Sequence, residues 1–98
     1  MDTIEDLGKI DAIATQVATE ILGQDFKNAN STHTLDSMGR DALQIVITLT
    51  PGSSSHVTGK AASTTMFELN KRLQEAGEER FPIVRWAEFG WSTAHGKS

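Results

Sequence analysis

With 98 residues the chain has room for one domain and a modest hydrophobic core. It has no cysteine, which excludes disulfides, thiolate metal centres and a cysteine nucleophile. A formal charge of −4, with Lys60, Lys71, Arg72, Arg80 and Arg85 scattered among glutamates, argues against nucleic acid and suits a basic protein surface better.

The opening residues, Met1 to Asp6, are acidic and carry no basic stretch followed by an apolar one, so no secretory signal is expected. No apolar run approaches the roughly 20 residues that cross a bilayer. The expectation is a cytoplasmic protein with no membrane partner.

Leu7, Ile10, Ala14, Val17 and Ile21 recur at alternating steps of three and four, and Ile4, Ile13 and Leu22 widen the stripe. This predicts an amphipathic helix. Thr3 followed by Asp6 suits its start, and Gly23 its stop. Residues 24–35 are polar and predict a weak edge strand. Asp36 to Asp41 reads as a turn, with Gly39 free to take positive φ.

Ala42 to Thr50 is the clearest strand. Leu43, Ile45, Ile47 and Leu49 alternate with Gln44, Val46, Thr48 and Thr50, so one face is wholly apolar. Pro51-Gly52 ends it, and Ser53 to Ser55 reads as a loop. A second helix is expected from Thr58 or Gly59 to Gly77, along a seam of Ala62, Met66, Leu69, Leu73 and Ala76. The last strand runs from Phe81 to Phe89, with Pro82 near its start, where a missing N–H is tolerated. Residues 92–98 read as a frayed tail.

The predicted fold is a single two-layer α+β domain over residues 1–98 in the order α-β-β-α-β. A three-stranded sheet carries two helices on one face. The first two strands form a hairpin, and the second helix crosses over to the third strand.

Chemistry-bearing motifs are few. Gly52 to Lys60 resembles a phosphate loop but has six residues between its glycines and Ala61 after the lysine, so it fails that pattern. A Ser/Gly-rich loop before a helix can still offer backbone N–H groups to an anion through Ser54, His56 and Lys60. His33, His56 and His95 form no metal-ligand spacing, and no metal or cofactor is expected. His33, Asp36 and Asp41 are the group an enzyme reading would use for acid–base work, and no catalytic triad stands out. Asp36 is expected to cap its own turn, and Arg40 to pair with Asp41. The mixed charges of Lys71, Arg72, Glu75, Glu78, Glu79 and Arg80 read as a solvated helix end and loop, with a polar rim around a binding patch as the alternative.

The last strand is the most informative. Three of the six aromatic side chains, Trp86, Phe89 and Trp91, sit within six positions at its end. Both its faces carry large apolar groups, whereas two helices cover one face. Trp86, Arg85, Phe89 and Trp91, with Phe67 off the helix seam, therefore form a candidate interface. The expected function is a non-enzymatic protein-interaction module: an inhibitor, accessory or adaptor subunit that forms a homodimer or binds a larger protein. Its small size and acidity also suit a phage or mobile-element product. An anion-binding regulatory domain using the 52–60 loop is the alternative. A small enzyme with a site at a dimer interface comes third.

Overall fold

A computed structural model describes residues 6–88. The expected tail, Phe89, Trp91 and Thr3 lie outside the described residues, and the first helix opens at Leu7 rather than after Thr3. The elements follow the expected order: α1 (Leu7–Leu22), β1 (Phe26–Leu35), β2 (Asp41–Leu49), α2 (Gly59–Glu75) and β3 (Phe81–Glu88). Single 3-10 turns at Gly23–Asp25 and Ser53–Ser55 lead into β1 and follow β2.

The sheet order is β1-β2-β3. β1 pairs antiparallel with β2, and β3 joins β2 in parallel, which is why a helix must intervene between them. β2 is central. Its Leu43, Ile45, Ile47 and Leu49 are all buried, as their alternation requires. Register places Ile47 between Ala29 and Trp86, and Ile45 between Ser31 and Val84. That side of the sheet faces the helices. α1 contributes Ile10, Ala14, Val17, Ala18 and Leu22 to the core, and α2 contributes Leu69 and Leu73.

Asp6 is the N-cap of α1, its carboxylate accepting the Gly8 N–H at 2.9 Å. Thr58 caps α2 in the same way, accepting the Ala61 N–H at 3.0 Å. The buried seam of α2 differs from the expected one. Met66 and Ala76 are exposed, and Thr65 is buried with Leu69 and Leu73. Thr65 tolerates burial because its hydroxyl donates to the Ala61 carbonyl at 2.8 Å, so no polar atom loses its partner.

Two polar ties fix the layers. Asp11 on α1 accepts both the Ser31 N–H (2.7 Å) and the Ser31 hydroxyl (2.6 Å) from β1. Arg72 on α2 reaches Glu20 on α1 at 2.7 Å and Glu68 on its own helix at 3.6 Å.

Among the described residues no helix lies on the far side of the sheet. It presents Asn28, Asn30 and Thr32 from β1, Gln44, Val46 and Thr48 from β2, and Ile83, Arg85 and Ala87 from β3. Val46 and Ile83 are the bulky apolar members of this set. A largely polar face of this kind suits one side of a half-solvated sheet.

Candidate binding cleft at the turn end of the sheet

The site is built from two chain reversals that meet at one end of the sheet. The first follows α2. Gly77 takes φ 98° just past the helix, a conformation glycine adopts without strain. The Glu78 N–H bonds to the Leu73 carbonyl and the Gly77 N–H to that of Gln74, which is the Schellman pattern of a helix end. This reversal carries Glu78 inward, where its residual exposure is 0%.

Arg80 meets it there. The Arg80 backbone N–H and Nε both donate to Glu78 Oε2, at 2.7 and 2.8 Å, and Nη2 donates to Oε1 at 3.0 Å. Nη1 lies 2.6 Å from His33 Nδ1 on β1. A guanidinium has only donors, so His33 Nδ1 is the acceptor. The run of charges at 71–80 is thus not solvated throughout: Glu78 and Arg80 form a buried ion pair inside it. A carboxylate and a guanidinium leave water together only when their hydrogen bonds are met, and this fork meets several of them.

The second reversal is the β1–β2 turn. Asp36 caps it as expected, accepting the N–H of Met38 (2.8 Å) and of Arg40 (2.9 Å) on Oδ1. Gly39 supplies the positive φ, 80°. The Arg40 backbone N–H, then that of Met38 and the Arg40 guanidinium, hold the Asp36 carboxyl below the ordinary aspartate range. Arg40 pairs with Asp36 at 2.9 Å rather than with Asp41. Asp36 is four residues before it and already fixed by the turn, so it offers an acceptor in place.

Between the reversals lies a cleft of about 660 Å³ lined by Asp36, Arg40, Asp41, Glu79, Arg80 and Phe81. Its charges are not balanced. Arg40 is held by Asp36, and Arg80 by Glu78. Asp41 and Glu79 are exposed and have no ion-pair partner among the described residues. Phe81 is 67% exposed on the wall, and Leu35 and Met38 are exposed on the adjoining strand end and turn. Of the expected acid–base group, Asp36 and Asp41 line this cleft, and His33 connects to it through Arg80. The sequence offers Glu78, Glu79 and Arg80 only as a polar rim and does not mark Phe81 as a site residue. A glycine helix stop followed by a Glu-x-Arg step is the signal that could have drawn attention to them.

The opposite end of the sheet holds the 52–60 loop. Ser54 donates both its N–H (3.1 Å) and its hydroxyl (2.5 Å) to Glu88 Oε1 at the end of β3. The Ser54 hydroxyl, followed by the N–H groups of Gly52 and Ser54, holds the Glu88 carboxyl below the ordinary glutamate range. These donors are thus taken up by a carboxylate of the chain itself. Thr50 and Ser53 hydroxyls bond to each other, and Ser53 reaches Asp25 at 3.1 Å. His56 lies 3.8 Å from Asp25 and is largely exposed, as is Lys60. A smaller hollow of about 260 Å³ takes in Leu49, Ser54, Trp86, Ala87 and Glu88, without His56 or Lys60.

Of the aromatic group read from the sequence, Trp86, Arg85 and Phe67 fall among the described residues. Trp86 is half-buried and packs on the core side with Val84. Arg85 points to the far face, where Nε lies 3.5 Å from Gln44 Oε1. Phe67 is exposed on α2. The described residues contain no group of three or more histidines, aspartates and glutamates arranged for a metal ion, and no helix long and apolar enough to cross a membrane. No family model, curated protein or solved structure matches the chain, so its site is read from its own geometry.

Proposed function

We propose that this chain is a protein-interaction module that docks a partner protein at the turn end of its sheet, where β3 begins. One observation carries the reading. Of the five large apolar side chains exposed among the described residues, three (Leu35, Met38 and Phe81) belong to this end, beside the cleft. A cluster of that kind rimmed by charges is the usual make-up of a contact surface, whereas isolated exposed apolar residues mean little. The far face of the sheet is Asn-, Thr- and Gln-rich and supports the same choice by contrast.

The site's hydrogen bonding favours holding over proton transfer. His33 Nδ1 is engaged by Arg80, and Asp36 by its own turn. The contact thus falls on the first residue of the C-terminal strand, Phe81, and not on its middle.

A photo-crosslinking amino acid in place of Phe81 tests this, with the same group at Thr32 on the far face as the reference. The expected result is one discrete adduct from position 81, lost when Leu35 and Met38 are both changed to serine. Adducts of equal yield and spread from both positions would overturn it. The adduct's mass separates a second copy of this chain from a larger protein.

A further inference from the structure

We infer that the partner segment entering this cleft is cationic and apolar together: a lysine or arginine side chain next to an aliphatic one. The inference rests on the docking reading above and names the chemistry of what docks.

Three separate features converge. The cleft, at about 660 Å³, is large enough to take side chains rather than a single water. Its aromatic wall, Phe81, is 67% exposed and gives an apolar stem a surface and a cation a π-face. Its charge is fixed in sign. Each guanidinium that lines it already has a carboxylate on it, at 2.9 Å for Arg40 and 2.8 Å for Arg80. The carboxylates of Asp41 and Glu79 have no cation among the described residues. An anionic segment would have to displace Asp36 or Glu78 from its arginine and approach Asp41 and Glu79 as well. A cation displaces nothing. Arg80 in the wall offers little repulsion, because Glu78 cancels it at contact distance. The net charge of −4 adds long-range attraction of the same sign.

The test uses the full chain, labelled with nitrogen-15, and two synthetic peptides of equal length: one of alternating lysine and leucine, the other of alternating glutamate and leucine. The lysine peptide is expected to shift the amides of residues 36–41 and 79–81 ahead of the rest, with an affinity that falls as salt rises. The glutamate peptide is expected to leave them in place. The double variant Asp41→Asn with Glu79→Gln is expected to bind the lysine peptide about tenfold more weakly. Both sites are exposed, so its melting temperature is expected to match the parent's, which separates lost binding from lost fold. Shifts centred elsewhere, equal shifts from both peptides, or undiminished binding by the double variant would each overturn the inference. If the Phe81 crosslink forms while the lysine peptide fails, docking stands and its cationic character falls. If the crosslink also fails, the docking reading falls with it.

Discussion

The two ends of the sheet solve the same problem in opposite ways. At the turn end a carboxylate and an arginine, Glu78 and Arg80, are taken out of water together, with Arg80 reaching on to His33. At the loop end the Glu88 carboxylate stays near solvent and takes its hydrogen bonds from a serine and from backbone N–H groups. Burial makes the difference. In low dielectric an ion pair is strong once formed, and the loss of either member strands a charge. Near solvent, water replaces whichever partner is removed. The turn end is therefore brittle and well placed to hold a cleft in one shape. The loop end is forgiving.

Arg80→Ala breaks the brittle end and has the largest expected effect. It leaves Glu78 buried without its main partner, which costs about 3–5 kcal/mol of stability. Chemical denaturation measures it. Glu78→Leu together with Arg80→Met sharpens the comparison, since replacing both ions by apolar groups of similar size is expected to recover most of the loss. If the double variant is as unstable as the single one, the cost lies in packing or in the His33 contact and not in the stranded charge.

Much of this architecture is written in short-range pattern. The β2 alternation of Leu43, Ile45, Ile47 and Leu49 is read correctly because a central strand covered on one side has a strict period of two. The helices and their stops at Gly23 and Gly77 follow from three- and four-residue spacing and from positive φ. The site was less legible. Glu78 and Arg80 look like ordinary surface charges, and their burial depends on a helix end turning inward and on His33, 47 positions away. Strand β3 was ambiguous for a related reason. Val84 and Trp86, or Ile83 and Ala87, could equally have faced the helices, and only pairing with Ile45 and Ile47 decides it. Thr65 in the α2 seam escaped notice because its buried hydroxyl is satisfied within its own helix.

A middle effect belongs to the β1–β2 turn, which forms one wall of the cleft. Asp36→Ala removes the acceptor for two backbone N–H groups and for Arg40, whereas Asp36→Asn keeps an oxygen for the backbone and loses the charge together with the Oδ2 acceptor of Arg40 Nε. Amide exchange at Met38 and Arg40 is expected to be fastest in the alanine variant, intermediate in the asparagine variant and slowest in the parent. Equal exchange in parent and asparagine variant would mean that the Arg40 ion pair adds nothing to the turn.

The smallest effect is expected at the forgiving end. Glu88→Gln retains an oxygen to accept from Ser54 and removes only the charge, so any change in melting temperature reports the charge-assisted part of that contact. Its pH dependence gives the sign. The native Glu88 carboxyl is held below its ordinary value, so the folded chain binds that proton less readily than the unfolded chain does. The stabilisation is complete at neutral pH. It declines as acid titrates first the unfolded chain's glutamate and then the native one at its lowered value. Melting temperatures of parent and Glu88→Gln are therefore expected to differ slightly at neutral pH and to converge on acidification. A gap that widens in acid would mean that protonation of Glu88 favours the fold, and that the loop's donors do not hold this carboxylate in its charged form.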